Sequence, residues 1–174
     1  MLVWIWRGDE VLRECILGID AGGTAIKATL YSVGGQEIAT ESVLVASRMV
    51  APGRAERDLA DIDQALVSLI QGLLQKSRTN PHDIEVIAAT GHGNGLYCLD
   101  RSGAGMLGIQ STDSRAAMLA DTLANSSVGL DIAEISLQLP WPAQTPTILA
   151  ALKQTQPELY DRIGTVFFCK DYIN

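Results

Sequence analysis

The sequence predicts an α/β domain with a mixed sheet flanked by helices, and three observations predict it. An apolar run that ends in a carboxylate, Ile16–Asp20, passes through a glycine-rich turn into Ile26, Ala28 and Leu30, which alternate with Lys27, Thr29 and Tyr31. That period of two is the pattern of a half-buried strand. Gly34-Gly35 separates it from a third run, Glu37–Val45, so the domain opens on an antiparallel three-strand meander. A helix and a further strand then follow. Leu59, Ile62, Leu66, Leu69 and Leu73 recur three and four residues apart, and Ile84–Thr90 is an apolar run too short for a free-standing helix, read as a buried strand.

Composition bounds what such a domain can do. The chain has 174 residues, 47% apolar and 19% charged, which gives one globular domain with a sizeable core and excludes a disordered chain. A net charge of −7 repels a phosphate backbone, so no nucleic-acid partner is expected. It leaves room for a phosphate ligand, because a turn of backbone N–H groups holds phosphate without basic side chains. The cysteines, Cys15, Cys98 and Cys169, are odd in number and form no CxxC pair. Neither a zinc site nor a disulfide framework is indicated; small apolar residues in or beside strands, in a reducing cytoplasm, fit them. The apolar start Met1–Trp6 is too short for a signal core or a membrane span, so residues 1–14 are read as a poorly ordered leader and no membrane is expected.

Along the rest of the chain, a loop with Pro52 and Gly53 leads to Ala55-Glu56-Arg57-Asp58. Asp58 is placed to cap the helix and Asp61, at its third position, faces the positive end, while Lys76 and Arg78 sit at the negative end and Asn80-Pro81 breaks it. Ile84–Thr90 runs into Gly91-His92-Gly93-Asn94-Gly95 and then a strand, Leu96–Asp100. Arg101–Gly105 reads as a turn, and Ser114–Asn125 as a helix started by Asp113 and Ser114. Thr145-Pro146 opens another helix with a cap and a first-turn proline. Pro157–Ile163 is a short helix, and Thr165–Cys169 a strand after which nothing closes the domain.

Three groups could carry chemistry. In the first, Gly22 and Gly23 allow a tight turn and close approach to phosphate, Thr24 offers a hydroxyl, Lys27 a point charge, and Asp20 a carboxylate for a hydrated Mg²⁺. This is neither a Walker A motif nor a GxGxxG opening a helix, and a plain glycine-rich hairpin turn is the alternative. In the second, three glycines at a strand's end leave backbone exposed, and His92 and Asn94 between them suit sugar hydroxyls; a hydrogen bond inside the turn is the alternative for His92. In the third, Asp113 and Arg115 form an ion pair or cap, or line a polyol pocket. Glu56-Arg57-Asp58 reads as a solvated charged loop, with sugar or backbone contacts as the alternative.

Taken in order, GIDAGGTAIK, AERD before a long helix, ATGHGNGLYCLD, IQSTDSRA and PELYDRIGTVFFCKDYI resemble the N-terminal part of the FGGY carbohydrate kinases, from about Cys15 to the last residue. The resemblance is nearest to the L-xylulose kinase type, which also carries a serine where this chain has Ser111 and many family members have tryptophan. The loop at His92, Gly93 and Asn94 departs from the Gln-Met-His of many xylulokinases, which leaves the sugar open.

The resemblance implies an actin/hexokinase-like (ribonuclease H-like) ATPase fold, with residues 15–174 an incomplete N-terminal domain and the C-terminal domain absent. It implies a cytoplasmic phosphotransferase that uses ATP and Mg²⁺ on a ketose or polyol, with a homodimer as an open expectation. Asp20 then belongs to the metal through water, Gly22, Gly23, Thr24 and Lys27 to the ATP phosphates, and His92, Asn94, Asp113 and Arg115 to the sugar. The base expected by resemblance lies beyond Asn174, so no catalytic residue is assigned and the chain alone is expected to be inactive. A non-catalytic sugar-binding or regulatory remnant is the competing expectation.

Overall fold

The computed structural model describes the backbone of residues 4–7 and 10–174, and side chains from Glu14 onward. The expected leader, 1–14, therefore lies partly outside the described residues; within it β1 (Trp4–Arg7) and β2 (Glu10–Arg13) pair as an antiparallel ribbon. The remainder divides into two compact units, one of residues up to Val45 with Asp61–Gly91 and 173–174, the other of Ala46–Ala60 with His92–Tyr172.

The first unit is built on the expected meander. β3 (Cys15–Ala21), β4 (Ala25–Ser32) and β5 (Glu37–Leu44) run antiparallel, and β6 (Arg48–Ala51) and β7 (Arg54–Arg57) belong to the other unit. Alternation decides the faces: Leu17, Ile19, Ile26, Ala28 and Leu30 are buried, while Asp20 and Lys27 are exposed. Helix α1 (Leu59–Ser77) lies over this sheet, with Ile62, Leu69 and Leu73 buried and Lys76 donating to the Thr40 carbonyl of β5 at 2.9 Å. Asp58 caps it as expected, accepting from Ala60 N–H at 3.0 Å. Asp58→Ala is expected to cost about 1 kcal/mol in urea denaturation, and no change would remove the capping role.

A 3₁₀ turn at Pro81–Asp83 leads to β8 (Ile84–Gly91), which pairs in parallel with β3 and makes the sheet mixed, in the order β5-β4-β3-β8. The expectation of a buried strand is corrected here. β8 is the sheet edge, and Val86 and Ile87 are 50% and 61% exposed.

The second unit holds a five-stranded sheet in the order β11-β9-β10-β7-β6, with β9 Leu96–Asp100, β10 Gly105–Ile109 and β11 Ile163–Phe167. The segment read as a Pro52-Gly53 loop is the turn of the β6–β7 hairpin, with Gly53 at φ 72° as a turn of this kind requires. Four helices follow β10 before the last strand: α2 (Ala117–Ala124), α3 (Ser127–Ser136), α4 (Thr145–Thr155) and α5 (Pro157–Arg162). Leu96 and Ile109, opposite each other on β9 and β10, pack with Ile148 and Leu152 of α4 to form the core.

Several details differ from expectation. α2 starts at Ala117 without a side-chain cap, because Asp113 and Ser114 bond elsewhere. Thr145 is inside α4, its hydroxyl donating to the Gly95 carbonyl at 2.6 Å, and Gln144 is the cap position. The last strand ends at Phe167, and a short helix, α6 (Cys169–Tyr172), closes the unit. All three cysteines are buried thiols, and burial pushes Cys98 up to about 11.

Candidate functional site

The first group of predicted residues sits at one end of the β3–β4 hairpin. The antiparallel register sets Asp20 directly opposite Lys27, so a carboxylate and an ammonium share one face beside the turn. Together with Gly18, Thr29, Tyr31 and Thr90 they line an open groove of about 370 Å³. The turn is closed by Gly22 N–H donating to the Ala25 carbonyl at 3.0 Å, and held to the end of β5 by Val45 N–H donating to the Thr24 carbonyl at 3.1 Å.

Neither Gly22 nor Gly23 adopts a positive φ, so their use is not left-handed backbone. It is room. A Cβ on Gly22 would stand 3.1 Å from the Ala25 carbonyl, and one on Gly23 would meet nothing within 4 Å. The backbone at Gly23 can therefore be approached closely by a ligand, which is what a phosphate turn needs. The Gly22 N–H is engaged within the turn, so Gly22 contributes space. Among the described residues no group of three or more His, Cys, Asp or Glu could hold a metal ion. A lone, exposed Asp20 suits Mg²⁺ carried in its own water shell.

The second group begins with Gly91, the last residue of β8 in the first unit, and continues from His92 in the other. Of the three glycines expected to expose backbone, only Gly93 is exposed. Gly95 is buried, donates its N–H to the Ala143 carbonyl at 2.8 Å and accepts from Thr145. Asn94 is half-buried and helps line a cavity of about 460 Å³ with Ser136, Gln144, Thr145, Ile132 and Phe168. Nε2 of His92 lies 3.1 Å from the Tyr97 hydroxyl. This bond ties the loop to β9, so it is a structural hydrogen bond but not one inside the turn.

Asp113 and Arg115 come together as an ion pair. The Arg115 guanidinium donates to both Asp113 oxygens at 2.9 and 2.8 Å and to Glu56 Oε1 at 2.7 Å. Asp113 also accepts from Ala55 N–H at 2.7 Å and from Arg115 N–H at 2.8 Å. Both side chains are nearly sealed from water, at 0% and 3% exposure. Burial works against the Arg115 charge, and the two carboxylates outweigh it and hold its pKa above the usual range.

Two residues of this unit were not singled out as a pair. Arg57, read as part of a solvated loop, is 2% exposed, and Tyr97 is fully buried. The signal was present in Leu96-Tyr97-Cys98, a strand segment without alternation: such a strand is covered on both faces, and a buried phenol needs a partner.

Residues 15–174 match the model of the FGGY family of carbohydrate kinases, N-terminal domain. The chain is 32% identical over 160 residues to a probable L-xylulose kinase of Pasteurella multocida, covering 90% of this chain and 33% of that one. It is 30% identical over 158 residues to the L-xylulose/3-keto-L-gulonate kinase of Escherichia coli, covering 90% and 32%. It thus spans about a third of the length of these curated relatives. Among solved structures, a gluconate kinase from Lactobacillus acidophilus superposes with a TM-score of 0.84 at 24% identity, covering 91% of this chain and 32% of the other. The xylulose kinase from Rhodospirillum rubrum gives 0.82 at 23%, covering 92% and 33%. At these identities the likeness shows the fold, the actin/hexokinase-like one expected above.

Proposed function

Since the chain belongs to the FGGY family of carbohydrate kinases, we propose that it supplies the phosphate-side turn and part of the sugar side of an enzyme that transfers the γ-phosphoryl of ATP to a hydroxyl of a ketose such as L-xylulose. The observation that carries this reading is the register that sets Asp20 opposite Lys27 beside a turn whose Gly23 leaves open space.

Bound Mg²⁺ would neutralise charge on the phosphate oxygens. Asp20 would orient a water of that ion, Lys27 would place a positive charge near a phosphate oxygen, and the Thr24 hydroxyl would donate a hydrogen bond. The glycines admit the phosphate to the backbone. His92 and Asn94 would hydrogen-bond sugar hydroxyls. Asp113 and Arg115 would act on the sugar side by holding the β7 end of the sheet, since their hydrogen-bonding atoms are turned to one another and to Glu56 and Ala55. A homodimer and a cytoplasmic location belong to the same proposal. Among the described residues, no helix is long and apolar enough to cross a membrane.

Calorimetric titration of MgATP into the purified chain tests the phosphate half. Lys27→Ala is expected to weaken binding about tenfold, and unchanged affinity would remove Lys27 from the site. The chain alone is expected to leave L-xylulose unphosphorylated; turnover above an Asp20→Ala control would overturn that. A second reading, a non-catalytic sugar-binding module, is favoured by the cavity beside Asn94, whose lining is neutral throughout and suits an uncharged polyol. Sugar affinity that needs no nucleotide would support it.

A further inference from the structure

The strand register of the second unit brings together residues far apart in sequence. Gly108 on β10 is opposite Tyr97 on one side and Arg57 on the other, and Tyr97 is itself opposite Phe167. Residues in one such row project to the same face of a sheet. Phe167, Tyr97, Gly108 and Arg57 therefore form a row, on the face opposite Leu96 and Ile109.

The glycine is what joins the row. A Cβ at Gly108 would stand 3.0 Å from Cε1 and 3.2 Å from Cδ1 of Tyr97. Without it the Tyr97 ring lies across β10 toward Arg57. On its other side the ring stacks on Tyr172 of α6, with centroids 6.3 Å apart, and meets His92 edge-on at 5.8 Å. The ring is fully buried and fixed from both sides.

The hydrogen-bond inventory then orders the protons. A guanidinium donates and never accepts. Arg57 hydrogen-bonds the phenol, so it occupies a lone pair of the Tyr97 oxygen and leaves the phenol's own proton to be given away. Two groups able to accept it stand beside that proton, the Cys169 thiol and, in the tautomer protonated on Nδ1, Nε2 of His92. Sulfur is a weak acceptor and an imidazole nitrogen a good one. Burial and the Cys169 thiol raise the Tyr97 pKa well above its usual range, against a smaller opposing effect of Arg57, so the proton stays on the phenol at neutral pH.

We infer that Tyr97, held by Arg57 across Gly108, is a positioning residue: its O–H donates to Nε2 of His92 and fixes that ring as the tautomer protonated on Nδ1. The inference deepens the reading of His92 as a sugar contact and rests on it for its functional meaning. It makes His92 a ring of set orientation and set donor, where an unanchored imidazole would sample two tautomers and lose discrimination between hydroxyls.

The chain has two histidines, His92 and the exposed His82, so imidazole spectra are readily assigned. Long-range ¹H–¹⁵N correlation of the labelled 174-residue chain at about pH 8, where imidazole is neutral, is expected to show His92 with a pyrrole-type Nδ1 and a pyridine-type Nε2. Tyr97→Phe, checked for folding by its amide spectrum, is expected to lose that preference. An Nε2–H tautomer in the unsubstituted protein overturns the proposal, and so does an Nδ1–H tautomer that persists in folded Tyr97→Phe. If the phenylalanine variant does not fold, a nuclear Overhauser contact between the Tyr97 hydroxyl proton and His92 Hε1 decides the matter in the unsubstituted chain: its presence supports the donation and its absence overturns it. Titration with L-xylulose reads the other premise separately. The expected tautomer with no sugar-induced shift at His92 keeps the positioning and removes the sugar contact.

Discussion

Asp113→Asn is expected to lower the unfolding free energy by about 3 kcal/mol, at the low end of what breaking a buried ion pair costs. The replacement keeps the size of the side chain and one oxygen for Ala55 N–H. It removes the charge that faces Arg115. Arg115 is 3% exposed, and after the substitution it would have only Glu56, itself 22% exposed, to offset a buried positive charge. The cost therefore comes from what is left behind, and a double variant shows it. Asp113→Asn with Arg115→Met is expected to cost less than the sum of the two single changes, because the two sealed charges are removed together and only the Glu56 carboxylate, at 22% exposure, loses its partner. Urea denaturation with unchanged m-values checks both. This decides between the two readings of these residues. If Asp113 were chiefly a sugar contact, Asp113→Asn would lose sugar affinity with a change of stability under about 1 kcal/mol.

That case shows which parts of the protein were legible in the sequence. Asp20 and Lys27 were found and placed together because a short hairpin fixes its register locally: the turn, Gly22–Thr24, determines which residues face each other. The same holds for α1, where a regular apolar stripe and Asp58 mark face and start. What escaped has no local mark. β6 has Met49 and Val50 65% and 52% exposed, so no alternation distinguishes it from a loop. β10, Gly105-Met106-Leu107-Gly108-Ile109, carries two glycines of low strand propensity, and its pairing with β9 and β7 supplies the order. α3 presents Leu130 and Ile135 to solvent, 65% and 86% exposed, so its apolar residues trace no buried stripe. The Arg57–Tyr97 pair depends on β7 and β9 both pairing with β10, a non-local fact that spacing cannot express. Resemblance supplied the order of the motifs and the family. The register supplied which of their side chains meet.

Gly95→Ala is expected to destabilise the chain by about 3 kcal/mol, while Gly93→Ala, two residues earlier in the same loop, is expected to stay within about 0.5 kcal/mol. The sequence offers no reason to separate them. The backbone does. Gly95 sits at φ 93°, a conformation that L-residues with a side chain rarely adopt. A Cβ there would stand 2.3 Å from the Ile109 carbonyl oxygen and 3.2 Å from the Ser111 nitrogen. Those are backbone atoms at the end of β10, which cannot swing aside as a side-chain tip can, so the loop or the strand must move. Moving the loop would strain the Gly95 N–H bond to Ala143 and the Thr145 bond to its carbonyl, which tie it to the start of α4. At Gly93 the φ is not positive and a Cβ would meet nothing within 4 Å. His92 and Asn94 lie on either side of Gly93, so the pair of variants separates the two uses of glycine in this loop. Gly95 holds the loop against β10, and Gly93 leaves open the surface that a ligand would approach. Chemical denaturation of both variants, with sugar titration of Gly93→Ala, tests the division. Gly95→Ala within 1 kcal/mol of the parent would refute the structural part, and Gly93→Ala with undiminished sugar affinity the ligand part.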